Sequence, residues 1–149
     1  MKVVLQRVKT ASVDIKNKTV AQIGNGILIL LGISQEDTEQ DAKTMCKKIT
    51  DLRIFEDRNK KMNLSLKDIN AEALIVPNFT LYANCKKGKR PSFCSAAKPD
   101  FAKNMFKTFC EEMNNMGLKN VQTGEFGADM QVKLINDGPV TIILDSKEL

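Results

Sequence analysis

The apolar positions change period along the chain, and the changes mark out its elements. Residues 2–15 alternate well enough for a strand. Asn17-Lys18 offers a turn into Val20–Ile23, and Gly24-Asn25-Gly26 a second turn into the run Gly26–Ile33. That run is apolar almost throughout, has strand length and is punctuated by glycine, so it reads as a buried strand. Ala42, Met45, Cys46 and Ile49 then recur at i, i+3, i+4 and i+7, which predicts an amphipathic helix over 38–51. Leu52–Phe55 and Met62–Leu64 read as short strands around the polar turn Asp57-Arg58-Asn59-Lys60. Ala73–Val76 is a further strand, interrupted at Pro77 and resumed at Phe79-Thr80-Leu81. A second helix opens on Pro99 and Asp100 and stops at Gly117, with Ala102, Phe106, Phe109, Met113 and Met116 on one face. Near the C-terminus, Met130–Ile135 and Val140–Leu144 flank Asn136-Asp137-Gly138-Pro139. This predicts a hairpin whose turn Pro139 stiffens and strips of one donor, leaving bare carbonyls able to accept from an ammonium group.

Many short strands and two helices predict an α+β fold, mainly an antiparallel, barrel-like sheet. The length of 149 residues suits one domain spanning 1–149, with no repeat or linker to divide it. No apolar run reaches the ~20 residues of a membrane span, and Met1–Arg7 turns polar too soon for a signal peptide. The expected place is the cytoplasm. An excess of Lys+Arg (23) over Asp+Glu (18) gives +5 and favours a polyanionic partner.

Histidine is absent, which removes the commonest general base and every Ser-His or Cys-His pair. Cys46, Cys85, Cys94 and Cys110 form no C-x-x-C pair, so a zinc site is poorly supported and no metal or other cofactor is expected. Cys46 and Cys110 fall on apolar helical faces, as buried thiols do. In Val76–Ala83 a proline break could free backbone N–H groups for a developing oxyanion. Thr80 there is either a strand residue or a nucleophile with no histidine to activate it. Lys86-Lys87-Gly88-Lys89-Arg90 is either a solvated loop or a contact to phosphates. Gly124–Met130 lacks calcium-loop spacing, and no dinucleotide or Walker fingerprint occurs.

Set in order, several blocks resemble the D-aminoacyl-tRNA deacylase family, also called D-tyrosyl-tRNA deacylase. They are Gln6-Arg7-Val8, Ala11-Ser12-Val13, Leu30-Leu31-Gly32, Arg53-Ile54-Phe55, Lys61-Met62-Asn63, Phe79-Thr80-Leu81, Arg90-Pro91-Ser92-Phe93 and Thr123-Gly124. Ala128–Val132 and Asn136–Thr141 complete the set. The resemblance implies a homodimer with its active site at the subunit interface, hydrolysing the ester between a D-amino acid and the 3′-terminal adenosine of tRNA. It implies catalytic roles for Asn78, Phe79 and Thr80, with either Thr80 or the ribose 2′-OH assisting. It further implies that Gly138-Pro139 is cis, enters the partner's site and rejects L-aminoacyl esters by exclusion, and that Phe126 and Met130 line the adenosine pocket. Lys86, Lys87, Lys89 and Arg90 would meet tRNA phosphates. Whether glycyl-tRNA is also cleaved stays open. The family usually carries Ser-Gln before Phe-Thr-Leu; Pro77-Asn78 stands here, lacking one N–H and one methylene. A related branch acting on L-alanyl-tRNA also has proline there, so that activity is one alternative, and a non-catalytic basic RNA-binding dimer is another.

Overall fold

The computed structural model describes residues 1–149, and its long first strand organises the rest. Strand β1 (Lys2–Ile15) pairs antiparallel with β2 (Lys18–Ile23), with β3 (Gly26–Gly32) and, along its other edge, with β8 (Gln131–Asp145). Beyond β3 the sheet turns parallel through β6 (Glu72–Pro77) and β7 (Asn120–Thr123). Helix α1 (Glu39–Asp51) follows β3, and α2 (Pro99–Asn115) precedes β7. A separate hairpin is formed by β4 (Phe55–Glu56) and β5 (Met62–Leu64). The parallel pairs and β7 are absent from the periodicity argument, because Asn120–Thr123 is too short and polar to announce itself.

Each element begins where its sequence directs. Thr38 caps α1 in a capping box with Asp41. Pro99 occupies the first turn of α2, and Gly117 takes a left-handed φ of 77° just beyond its end. The stripe predicted on α2 is core: Ala102, Phe106, Phe109 and Met113 are buried, with Met116 packed against them. Cys46 and Cys110 are buried thiols, as read.

The sheet has a core on each face. Val3, Leu5, Ile27, Ile29, Ala73 and Ile75 join both helices in the larger cluster. The alternate residues Leu28, Leu74 and Val76 join Val8, Ala11, Val13, Ala21 and Ile23 in a smaller one. Strand β1 serves both because its register shifts between Val8 and Thr10, reversing the parity of its inward positions.

Two expectations are corrected. Gly138-Pro139 is no hairpin turn: β8 runs on in one direction through it, and both halves pair with β1, Leu144 opposite Val3 and Val132 opposite Val13. The segment bulges between Asn136, opposite Val8, and Thr141, opposite Gln6, where a residue without N–H costs no ladder bond. An available partner strand decides the matter; the local Asn-Asp-Gly signal would also suit a hairpin. The second correction concerns Phe79-Thr80-Leu81, which does not resume a strand. Phe79–Tyr82 is a turn of 3₁₀ helix, because Asn78 caps it and the chain has run off the end of β6.

Candidate active site

The 3₁₀ turn sits where β6 ends, and Gly32 makes room for it. A Cβ at Gly32 would lie 3.0 Å from Leu81 Cβ and 3.2 Å from the Asn78 carbonyl oxygen, so any side chain there would press the turn away from β3. The Asn78 N–H donates to the Leu31 carbonyl at 2.8 Å, fixing the entry to the turn. The Asn78 side-chain oxygen accepts from the Thr80 N–H at 3.2 Å and from the Thr80 hydroxyl. One amide therefore holds both donors of Thr80. Contact between an oxyanion and the Thr80 N–H requires that amide to yield.

Beside the turn opens a cavity of about 560 Å³. Pro77, Asn78 and Phe79 form one wall, Leu31 contributes from β3 and Ile33 from just beyond it, and Phe126, Gly127, Ala128 and Met130 add a further side. Phe93, Ala96, Ala97, Pro99 and Ala102 complete the lining. Phe79 is 59% exposed, yet its ring meets Phe93 edge-to-face at 5.1 Å, so two aromatics frame the mouth. Met130 is held by Gly124, where a Cβ would meet its sulfur at 2.7 Å. No lining residue carries an ionisable side chain. Tyr82, on the same 3₁₀ turn, is pushed up to about 12 by burial and by the Asp37 carboxylate, so it stays protonated at neutral pH. Burial likewise raises Cys46, and raises Cys110 to about 12, so neither supplies a thiolate. The arrangement can bind and orient a flat, apolar-faced group next to backbone and amide dipoles; it offers no proton-transfer side chain.

The chain thus brings Asn78, Phe79, Phe126 and Met130 together around one cavity, with Thr80 adjoining. Lys86, Lys87, Lys89 and Arg90 lie outside it, on the exposed tip of a loop closed by mutual backbone bonds between Asn84 and Ser92. The loop returns at Phe93, so its base adjoins the cavity mouth. Leu31, Ile33 and Phe93 escape notice in the sequence as site residues, because apolar residues on or beside a strand or in a loop look like ordinary packing until the chain is assembled.

Gly138-Pro139 is cis, as the resemblance implies, but it stands apart from that cavity within one chain. Gly138 borders a different depression with Arg7, Lys9, Phe55 and Glu56. Its surroundings are specified closely. The buried Arg7 guanidinium donates from Nε to the Asp137 carbonyl at 3.1 Å and from Nη1 to the Ile54 carbonyl at 2.6 Å. The Asp137 carboxylate pairs with Arg7 and Lys9, each at 3.2 Å. The Asn136 amide donates to the carbonyls of Arg7 and Val140, both at 3.0 Å. Gly138 has a φ of 122°, and a Cβ there would lie 2.8 Å from Arg7 Nη2. These contacts fix the strand bulge and leave Gly138 and Pro139 exposed at its crest.

The fold is α+β, and its apolar cavity, free of ionisable side chains, is walled by the turn at the end of β6. Residues 4–145 match the family model for D-Tyr-tRNA(Tyr) deacylase, and the chain belongs to that family. It is 55% identical, over 100% of its length and 99% of the relative's, to a D-aminoacyl-tRNA deacylase of Thermosipho africanus. It is 56% identical to another of the same name from Sulfurihydrogenibium sp., with 98% of each chain covered. Among solved structures, the c-Myc DNA unwinding element binding protein superposes with a TM-score of 0.92 at 41% identity, covering 97% of this chain and 98% of that one. A probable eukaryotic D-amino acid tRNA deacylase shares the fold, with a TM-score of 0.80 at 19% identity and 96% and 97% coverage.

Proposed function

We propose that the protein hydrolyses the ester of D-aminoacyl-tRNA, releasing a free D-amino acid and tRNA. The observation that carries this reading is the apolar cavity holding Asn78, Phe79, Phe126 and Met130 with no ionisable group in its wall. Phe126 and Met130 receive the terminal adenosine. The ester carbonyl lies against the 3₁₀ turn, where the Phe79 N–H, and the Thr80 N–H once the Asn78 amide yields it, meet its oxygen as charge develops. Each oxyanion donor in other acyl-transfer enzymes is worth about 3–4 kcal/mol. Water adds to the carbonyl carbon, the ribose 2′-OH relays its proton, and the bond from carbonyl carbon to the ribose 3′-oxygen breaks as that oxygen is protonated. An activated ester needs no stronger base.

A second copy completes the site. Its Gly138-Pro139 crest supplies carbonyls that hold the substrate ammonium and leave no room for an L side chain, a discrimination by exclusion. The Lys86–Arg90 loop meets tRNA phosphates, and a cytoplasmic setting follows from the substrate. Pro77-Asn78 alters the cavity wall that faces the crest, which keeps activity on L-alanyl-tRNA as a second outcome of the test.

Matched D-, L- and glycyl-tRNAs separate the readings. Rapid loss of the D-ester with the L-ester spared is the expected result. Equal loss of both would remove the chirality gate, and preference for L-alanyl-tRNA would assign the related branch. Binding of D-tyrosyl-tRNA without ester loss would leave a basic RNA-binding dimer.

A further inference from the structure

A second cluster of unpaired cations lies far from Lys86–Arg90 in sequence, at the tip of the β4–β5 hairpin. Arg58, Lys60 and Lys61 are exposed there, and none is in an ion pair. The one carboxylate inside the turn is spent on the turn itself. Asp57 Oδ1 accepts from the N–H groups of Asn59 at 2.8 Å and Lys61 at 3.1 Å, and its other oxygen accepts from the Asn63 amide at 3.4 Å. Backbone bonds from Asp57 N–H to the Lys61 carbonyl (2.8 Å) and from Lys60 N–H to the Asp57 carbonyl (3.0 Å) close the loop. Three cations therefore stand on a stiffened frame, so binding them costs little ordering of backbone. An acidic peptide would also be attracted, but it would need grooves or pockets that the turn lacks; a sugar-phosphate backbone needs only spaced positive charge.

The hairpin is also tied to the crest of β8. Arg7 bonds at once to the Ile54 carbonyl, next to β4, and to the Asp137 carbonyl, next to Gly138. Phe55, Glu56 and Gly138 line one depression. An RNA seated over the Gly138-Pro139 crest would therefore lie beside the base of the hairpin that carries Arg58, Lys60 and Lys61. We propose that the Arg58–Lys61 turn is a second phosphate-binding element, gripping the tRNA whose charged end occupies the cavity. This rests on the tRNA-deacylase reading for its substrate.

The test measures Kd for uncharged tRNA between about 50 and 200 mM salt, alongside turnover of D-tyrosyl-tRNA. The variant Arg58→Gln/Lys60→Asn/Lys61→Gln keeps a residue tolerant of the left-handed φ of 59° at position 60. It should bind at least about tenfold more weakly, with a salt slope smaller by about 2–3, near one per phosphate contact. Arg58→Gln and Lys61→Gln singly should each remove about one from the slope, which separates lost contacts from a collapsed hairpin. Removing the same charge from the exposed helical lysines, as Lys47→Gln/Lys48→Gln/Lys103→Gln, should change the slope by less than half as much. Equal slopes for wild type and triple variant, or an equal effect of the helical control, would overturn the proposal. Failure of the wild type to bind tRNA at all would overturn it together with the functional reading. Binding with no turnover would remove only the latter.

Discussion

Thr80 is a hydroxyl without a base. Its hydrogen is donated to the Asn78 side-chain oxygen, and a neutral amide cannot accept the proton outright. No ionisable side chain lines the cavity beside it, and Tyr82 stays protonated well above neutral pH. A nucleophilic threonine would need a partner that the fold does not supply, whereas a threonine that shapes the turn needs only what is present. Thr80→Ala should therefore cost about 10²-fold in kcat, well short of the ~10⁴-fold or more that follows loss of a nucleophile. Single-turnover deacylation of D-tyrosyl-tRNA measures the loss. A drop beyond ~10⁴-fold, with the fold intact, would restore Thr80 as the attacking group. A substrate ending in 2′-deoxyadenosine supplies the complementary reading, since removing the relay should slow cleavage even with Thr80 in place.

Among the elements, one carboxylate ties three strands and exposes its contribution to titration. Glu72 opens β6, accepts from the Gly24 N–H at 2.8 Å and pairs with Lys119, before β7, at 3.3 Å. The bond from the Gly24 N–H, followed by the bond from Lys119, holds its carboxyl below the usual glutamate range, against the opposing effect of burial. A depressed folded value stabilises the fold above the unfolded pKa of about 4.3, and that stabilisation is lost as pH falls through the folded value. The difference in unfolding free energy between wild type and Glu72→Gln should thus be full near pH 6 and shrink below about pH 4. Urea titrations across that range measure it; a gap constant with pH would reject the assignment. Glu72 also marks how far the sequence was legible. Strands β1 to β3 and both helices declare themselves through period and punctuation, because their burial is set by their own alternation. The core of β6 is legible too, as Ala73–Val76, but its parallel pairing and the whole of β7 are not, since what fixes them is a long-range ladder and the Glu72 contacts across it. Asn78, Phe79, Phe126 and Met130 were legible through resemblance to a family, whereas Leu31, Ile33 and Phe93 acquire their place only when β3 and the loop after Ser92 close on one cavity.

The molecule as a whole is unfinished along β8. Its fifteen residues pair with β1 on one edge and with nothing on the other. Ile135 and Ile143 stand 60% and 76% exposed on either side of the Gly138-Pro139 bulge. A long edge strand with exposed apolar side chains is a template for another chain unless something covers it. The separation of the Gly138-Pro139 crest from the cavity within one chain gives that covering a use: in a two-fold dimer, each copy would present its crest to the other's cavity, and the contact would be self-complementary. Placing a charge in the contact should separate the copies. Ile143→Lys should weaken the proposed dimer by roughly 3 kcal/mol, about 10²-fold in Kd, as read by sedimentation velocity over a dilution series. Specific activity should fall with the dimer fraction in both proteins, at a higher concentration for the variant. Each copy would still fold, because Ile143 adds nothing to either core. A wild type that sediments as a monomer while deacylating at full rate would sink the shared site, and the chirality gate assigned to a neighbour's Gly138-Pro139 would go with it.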